Sequence, residues 1–287
     1  MLRAVDELLR EAARRLASAD ALLITAGAGM GVDSGLPDFR GDEGFWRAYP
    51  AYARLGLSFA ELANPRWFAS DPELAWGFYG HRLALYRRTV PHAGFAVLRR
   101  FAERVARGTR VYTSNVDGQF QRAGFDEAEV VECHGAIDFV QCSRGCGVGV
   151  LRYRGEAPEV DPQSFRARGP LPRCARCGAL LRPNVLMFGD FEWEGARTEA
   201  QEKRLAAWLG ELHRAGARLV VLECGAGSAI PTVRLRGERL LRSVGASLVR
   251  INPREPEVPP GQIGLALGAR EALERLEALW PAGSAAP

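Results

Sequence analysis

The stretch AGAGMGVDSGLPDFR, Ala26 to Arg40, directly follows the apolar run ALLIT at residues 21–25. A short apolar run of this kind predicts a buried strand. Gly27, Gly29 and Gly31 alternate along the stretch, and glycine lets a backbone turn sharply and approach a ligand closely because it has no Cβ. A strand that ends in such a turn before a helix points backbone N–H groups at a phosphate. The stretch therefore predicts a nucleotide site.

The spacing of this stretch differs from the common nucleotide motifs. In G-x-G-x-x-G the last glycine would fall at Val32, and there is no G-K-[ST] as in a P-loop. The tail Pro37 to Arg40 (PDFR) places a carboxylate, an aromatic ring and a guanidinium behind the turn. A guanidinium suits a pyrophosphate because its donors form a planar fork. We therefore expect a nucleotide site that differs from that of an ordinary dehydrogenase.

Composition narrows the class of protein. The chain has 287 residues, 47% apolar and 25% charged, with a net charge of +4, which is enough for one large core or a core with a smaller lobe. The mild charge does not call for nucleic acid or an anionic membrane as a partner. No apolar run reaches membrane-spanning length, and the charged amphipathic N-terminal pattern is not that of a signal peptide. We expect a cytoplasmic protein without a membrane partner, with nucleic acid disfavoured.

Strand-like and helix-like segments alternate along most of the chain, which predicts an α/β fold with a doubly wound parallel sheet. Polar clusters recur where the predicted strands end, and ligands of such sheets bind at that edge. Residues 42–90 are rich in aromatic side chains and short helical patterns, which predicts a helical insertion beside the sheet. The polar clusters are residues 27–40, 115–117, 134, 225–228 and 252.

Four cysteines form two short pairs, Cys142-x3-Cys146 and Cys174-x2-Cys177. Two such pairs of thiolates can close a tetrahedral zinc site with no open position, so the role of the metal would be structural. The segment around them is too rich in glycine and proline to build its own core, and zinc would hold it together. A zinc ribbon can also bind nucleic acid, although the arginines around it are better explained as a solvated face.

His134 is the histidine that follows a predicted strand and precedes a glycine. An imidazole at the end of a strand can serve as a general base near neutral pH. A lone histidine is usually structural, but its position among the other strand-end clusters favours a functional role.

Taken together and in order, these motifs resemble those of the sirtuins, the NAD-dependent protein deacylases, over most of the chain. The resemblance implies a Rossmann-like NAD-binding domain made of residues 1–41, 91–138 and 183–287. A smaller lobe would comprise the helical insertion 42–90 and the zinc ribbon 139–182. It further implies NAD+ as co-substrate, structural Zn2+, and acylated-lysine proteins or peptides as partners. The products would be free lysine, nicotinamide and 2′-O-acyl-ADP-ribose.

The resemblance also implies roles for individual residues. His134 would deprotonate a ribose hydroxyl, and Asn115 would organise the ribose and a water molecule. Val116 and Asp117 would hold the carboxamide. The other cofactor-binding residues would be Gly27, Ala28, Gly29, Asp38, Phe39, Arg40, Gly225, Ser228 and Asn252. The residues that pair with the substrate backbone as an added strand would lie in 185–189, with Val185, Phe188 and Gly189 as contacts.

The chain departs from the family pattern at some of these positions. Ser114 stands in place of the usual glutamine, which puts a ribose contact in doubt. Arg254 stands two residues after Asn252, where an acidic residue is expected, so the adenosine contact there is also in doubt. None of the departures that we find removes a catalytic group.

Tyr79 and Arg82 form a Tyr-x-x-Arg pair. In one class of sirtuins this pair binds the carboxylate of succinyl- or malonyl-lysine, and a guanidinium with a hydroxyl suits an acidic acyl tail. The alternative is an amphipathic helix that carries Tyr and Arg at i and i+3 by coincidence. We favour the functional interpretation and expect acidic acyl groups to be removed at least as well as acetyl.

Two other functions remain open on the sequence. The same site could carry out ADP-ribosyl transfer or NAD hydrolysis with a different acceptor. The chain could also be a zinc-ribbon binding protein that senses NAD.

Overall fold

The computed structural model describes residues 2–38, 49–54 and 56–281. Its centre is a six-stranded, wholly parallel sheet with the strand order β11-β10-β9-β1-β2-β3. Counted within this sheet alone, the order is 3-2-1-4-5-6, the order of dinucleotide-binding folds. The strands are β1 (Ala21–Ala26), β2 (Thr109–Thr113), β3 (Val130–Glu132), β9 (Leu219–Cys224), β10 (Ser247–Ile251) and β11 (Ile263–Leu265).

Helices cover both faces of the sheet, which confirms the doubly wound prediction. On one face, α1 (Leu2–Ala17), α6 (Ala93–Ala102) and α10 (Ala269–Ala278) share a core with β1. On the other face lie α8 (Ala196–Arg214) and α9 (Thr232–Ser243). Every residue of β1 and β9 is buried, as expected of parallel strands that are covered on both sides.

The smaller lobe has its own hydrophobic core, which joins the helical insertion to the ribbon. Its main helix, α5 (Pro72–Arg88), begins where the Asp71 side chain accepts a hydrogen bond from the Leu74 N–H, with proline at the first helical position. The indole of Trp76 on this helix donates to the Leu181 carbonyl of the ribbon. The short helices are α2 (Pro50–Arg54), α3 (Phe59–Leu62), α4 (Trp67–Ser70) and, in the large domain, α7 (Gln119–Arg122).

Strands β4 (Gly135–Cys142) and β8 (Leu181–Val185) form an antiparallel sheet with β5 (Leu151–Arg152), and β6 (Glu159–Val160) pairs with β7 (Ala167–Arg168). The boundaries proposed from sequence at residues 138/139 and 182/183 fall inside β4 and β8. These two strands therefore connect the large domain directly to the ribbon. Within the described ranges, every helix is too short or too polar to cross a membrane.

The structure places the end of β1 next to the end of β9, where the strand order of the main sheet reverses. The glycine turn after β1 and the one after β9 therefore meet at the topological switch point. Open α/β sheets bind their ligands at this position.

Candidate active site

A cavity of about 700 Å3 opens at the carboxyl edge of the main sheet, against the helical part of the smaller lobe. This volume lies within the ordinary range of cofactor and ligand pockets. Residues from every strand-end cluster except position 252 contribute to its lining, together with side chains of α5 and the segment after β8. The predicted site residues that line it are Gly27, Ala28, Asp38, Tyr79, Arg82, Asn115, Val116, Asp117, His134, Val185, Phe188, Gly225 and Ser228.

The two glycine turns interlock at the base of the cavity. A Cβ on Gly27 would lie 2.7 Å from the Ala226 Cα, and one on Gly225 would lie 2.3 Å from the backbone of Gly29. Gly225 also has a φ of +64°, which favours glycine. The N–H of Gly29 donates to the Gly225 carbonyl at 3.0 Å. Gly29 is not among the lining residues; its observed role is to hold the two turns together.

Asn115 links the ends of β1 and β2. Its side-chain Nδ2 donates to the Gly27 carbonyl at 3.0 Å, and its backbone N–H donates to Thr113 Oγ1 at 3.0 Å. Asp117, two residues on, is buried and accepts a hydrogen bond from the Gln119 N–H. Burial raises the pKa of Asp117 to about 6, because a low-dielectric environment disfavours the charged carboxylate.

His134 lies in the connection between β3 and β4, where its imidazole lines the cavity. Gly135 follows it at a φ of +74°, and a Cβ there would lie 2.0 Å from the Asn184 carbonyl oxygen, so packing against β8 requires glycine at position 135. Burial lowers the pKa of His134 below its usual value. The imidazole is therefore neutral at pH 7 and can accept a proton. Its ring forms no hydrogen bond with the residues that the structure describes.

The segment after β8 lies along the cavity and is fixed at three points. The Leu186 N–H donates to the His134 carbonyl and the Phe188 N–H donates to the Ala63 carbonyl, both at 2.9 Å. Asp190 forms two hydrogen bonds of 2.7 and 2.8 Å with Arg182, and both side chains are buried. Asp190 is therefore a structural anchor of the segment. Gly189 is exposed, has a φ of +67° and lies outside the lining.

Glu255 braces the turn at residues 225–228. Its carboxylate accepts hydrogen bonds from the hydroxyl and, at 3.2 Å, from the N–H of Ser228. Asn252 is completely buried: its Nδ2 donates to the Ala226 carbonyl, and its Oδ1 accepts from the N–H groups of Arg254 and Glu255. The predicted cofactor residue Asn252 is thus placed behind the lining. Arg254 and Glu255 line the cavity in its stead.

The opposite wall consists of side chains from α5. Tyr79, Arg82 and Tyr86 are 1%, 6% and 4% exposed, and all three line the cavity. The guanidinium carbon of Arg82 lies 5.1 to 6.0 Å from the ring centres of Phe59, Phe78, Tyr79 and Tyr86. Its Nε donates to the Tyr86 hydroxyl at 3.0 Å.

The four predicted metal ligands are brought together as expected. The sulfur atoms of Cys142, Cys146, Cys174 and Cys177 all lie within 4.8 Å of one another. Two of these separations, Cys142 to Cys177 and Cys146 to Cys174, are 3.6 Å. Tetrahedral zinc with Zn–S bonds of about 2.3 Å requires sulfur atoms about 3.8 Å apart. The cluster therefore fits a structural zinc ion, and its four positions leave none for substrate.

Two predicted cofactor residues, Phe39 and Arg40, lie outside the described residues. Sequence reasoning missed several lining residues, among them Phe59, Tyr86 and Glu255. Tyr86 carried a detectable signal, because it lies four positions after Arg82 and seven after Tyr79, on the same face of a helix. Glu255 is adjacent to the position where an acidic residue was expected, so a shift of one residue would have identified it.

The chain is similar to known proteins in both sequence and fold. A model of the Sir2 family matches residues 27–208. An NAD-dependent protein deacylase of Pseudomonas aeruginosa is 33% identical over 255 residues, which cover 88% of each chain. A crystal structure of a Sir2 homologue in complex with NAD is 28% identical, with a TM-score of 0.68 over 94% of this chain and 93% of that one. A mutant Sir2 homologue in complex with 2′-O-acetyl-ADP-ribose is 27% identical, with a TM-score of 0.65 over 94% and 95%.

Proposed function

The chain belongs to the Sir2 family, and from that premise we propose that it is an NAD-dependent protein-lysine deacylase that prefers acidic acyl groups. The products we propose are free lysine, nicotinamide and 2′-O-acyl-ADP-ribose. The observation that carries the acyl preference is the buried guanidinium of Arg82 at the wall of the cavity. Support for the co-substrate comes from the interlocked glycine turns at the switch point and from the NAD complex of a homologue.

In this proposal NAD+ lies along the sheet edge as a co-substrate. Ala28, Gly225 and Ser228 line the part of the cavity nearest the two glycine turns, and we assign the pyrophosphate to this part. Val116 and Asp117 face the carboxamide of the nicotinamide. Asn115, held by the Gly27 carbonyl, orients the ribose between these two parts.

His134 acts as the general base. The acyl oxygen displaces nicotinamide from the ribose; His134, whose lowered pKa keeps the imidazole neutral, then takes the proton from a ribose hydroxyl as that hydroxyl attacks the acyl carbon. Addition of one water molecule releases free lysine and 2′-O-acyl-ADP-ribose. General bases of this kind typically contribute about 10²–10⁴-fold in rate. The acyl-lysine peptide lies as an added strand beside residues 185–189, whose exposed Phe188 and Leu186 border the cavity.

The acyl chain extends from the sheet edge toward α5. An acyl group with a terminal carboxylate can accept hydrogen bonds from the Arg82 guanidinium and the Tyr79 hydroxyl. Tyr79 Oη is buried and has no hydrogen-bond partner within the described ranges, so an acceptor in the cavity would satisfy it. A hydrogen bond to a charged group contributes about 1.5–3 kcal/mol, enough to discriminate acidic from neutral acyl groups by more than tenfold.

A matched set of peptides tests the proposal. Peptides carrying acetyl-, butyryl- and succinyl-lysine are incubated with and without NAD+, since butyryl and succinyl have chains of the same carbon number but differ in charge. We expect turnover only with NAD+, and a kcat/KM for succinyl above that for butyryl by about tenfold or more. Arg82→Met should reduce this ratio to near one.

Arg88→Met is the control, because Arg88 lies on the same helix, is exposed and is outside the cavity. It should leave the ratio unchanged. A wild-type enzyme that handles butyryl as well as succinyl would contradict the acyl preference without contradicting deacylation.

Mass spectrometry of the products separates the remaining candidate activities. Acyl-ADP-ribose indicates deacylation, free ADP-ribose in the absence of peptide indicates NAD hydrolysis, and ADP-ribosylated protein indicates transfer. A protein that binds NAD+ without consuming it would instead support the NAD-sensing alternative.

A further inference from the structure

Tyr86 is not among the residues assigned to acyl binding above, yet its side chain contacts Arg82. It follows Arg82 by four positions and Tyr79 by seven, so the three side chains share one face of α5. All three are buried and line the same cavity. The backbone carbonyl of Tyr86 accepts a hydrogen bond from the guanidinium of Arg122, which holds this turn of the helix against the large domain.

The hydroxyl groups of Tyr79 and Tyr86 each keep a hydrogen for which the described residues offer no acceptor. The Tyr86 hydroxyl oxygen accepts from Arg82 Nε at 3.0 Å, so its own hydrogen remains to be donated. No described residue accepts that hydrogen, and none bonds to the buried hydroxyl of Tyr79. Burial raises the pKa of both phenols, so both keep their hydrogens at any physiological pH. A buried donor without an acceptor is unfavourable, and a ligand that accepts its hydrogen bond removes this penalty.

A terminal carboxylate is the ligand that satisfies these donors, because it has only acceptor positions, about four of them. We propose that Tyr86 is a third residue of the site that binds the acidic acyl tail. Its oxygen accepts from Arg82 Nε and so fixes the orientation of the guanidinium. Its hydroxyl hydrogen is donated to the carboxylate beside that of Tyr79. This inference rests on the proposed deacylase function and identifies a specificity residue within it.

The alternative is that Tyr86 is an ordinary core tyrosine whose ring packs in the smaller lobe. Tyr52 provides the comparison, since it is equally buried in the same core but its hydroxyl donates to the Phe165 carbonyl at 2.9 Å. Tyr52 is outside the lining of the cavity. The two tyrosines differ in what their hydroxyl groups face, so the same substitution at each position separates the two interpretations.

The experiment compares Tyr86→Phe with Tyr52→Phe on the succinyl and butyryl peptides. We expect Tyr86→Phe to lower the succinyl-to-butyryl ratio of kcat/KM about tenfold, which corresponds to about 1.4 kcal/mol, mainly through KM for succinyl. Tyr52→Phe should leave the ratio unchanged. In an Arg82→Met background the further change Tyr86→Phe should have little effect on the ratio, because both residues act on one carboxylate.

Binding of the same peptides by calorimetry provides a second measurement that does not depend on turnover. Tyr86→Phe should raise the Kd of the succinyl peptide and leave the Kd of the butyryl peptide within about twofold of wild type. If Arg82→Met lowers the ratio but Tyr86→Phe leaves both ratio and Kd unchanged, the role of Tyr86 is overturned while deacylation stands. Absence of NAD-dependent turnover on every peptide overturns the proposed function instead.

Discussion

The two walls of the cavity are built on different principles. The sheet-edge wall consists of loops after parallel strands, in which backbone groups and partly buried residues such as Asn115 and His134 line the cavity. The helical wall consists of long side chains from one helix, which are buried among aromatic rings. The first wall is set by the connections that follow the strands, whereas single substitutions on one helix can change the second. We infer that co-substrate chemistry belongs to the first wall and acyl selection to the second.

Removal of the metal should have the largest effect on stability. It should destabilise the smaller lobe, which carries the helical wall, before the main sheet, which carries the other wall. The core of the smaller lobe contains Cys142 and Cys174 together with Trp76 and Tyr79, whereas the main sheet has separate cores on its two faces. Structural zinc can contribute roughly 10 kcal/mol or more to folding. Chelation should therefore abolish hydrogen-exchange protection in 72–88 and 135–185 before it affects 21–26 and 219–224.

Restoration of zinc after chelation is the control, and should restore protection and turnover where magnesium does not. Equal loss of protection in the ribbon and in the main sheet would show that the two parts unfold as one unit.

Loss of the base should act on every acyl group alike. His134→Ala removes the imidazole and should lower kcat by about 10²–10⁴ on succinyl and acetyl peptides equally, because the sheet-edge wall does not contact the acyl tail. The melting temperature should stay close to wild type, since His134 is only partly buried and its ring forms no hydrogen bond with the described residues. A variant that loses one acyl activity and keeps the other would refute the division between the walls.

Loss of the guanidinium should act on acidic acyl groups alone. Arg82→Met is expected to lower kcat/KM for succinyl peptides by about 10–100-fold, because it removes the charged contact at the helical wall. Kinetics with NAD+ varied at a saturating peptide concentration would show whether the KM for NAD+ stays unchanged, as the division between the walls requires.

The pH dependence should show the smallest effect. Burial lowers the pKa of His134 below the usual 6.5, and a protonated imidazole cannot accept a proton. The kcat/KM should therefore be maximal at neutral pH and fall as the pH drops through this lowered pKa. The acidic limb of the pH profile should lie below pH 6.5. Asp117 also loses its charge on this side, near pH 6, and Asp117→Asn would show which group sets the limb. A limb above 6.5 in both proteins would contradict the burial of His134.

Much of the sheet-edge wall could be predicted from sequence. The apolar run at 21–25, the strand at Ser247–Ile251 and the polar clusters between them carry local signals, and the edge on which they converge follows from parallel pairing. The role of Asp190 as partner of Arg182 was not predicted, because the pairing depends on the bend of the segment after β8.

The alternation of strands and helices, the cysteine quartet and the Tyr-x-x-Arg pair could be identified from the sequence, because each depends on periodicity or short spacing. The folded chain was needed to show that Arg82 is buried among aromatic rings at the cavity and that Tyr86 bonds to it. It was also needed to show that Glu255 bonds to Ser228 while Asn252 lies behind the lining. Burial and orientation of a side chain depend on what packs against it from distant parts of the chain. Periodicity along one helix predicts which residues share a face, but not what that face meets.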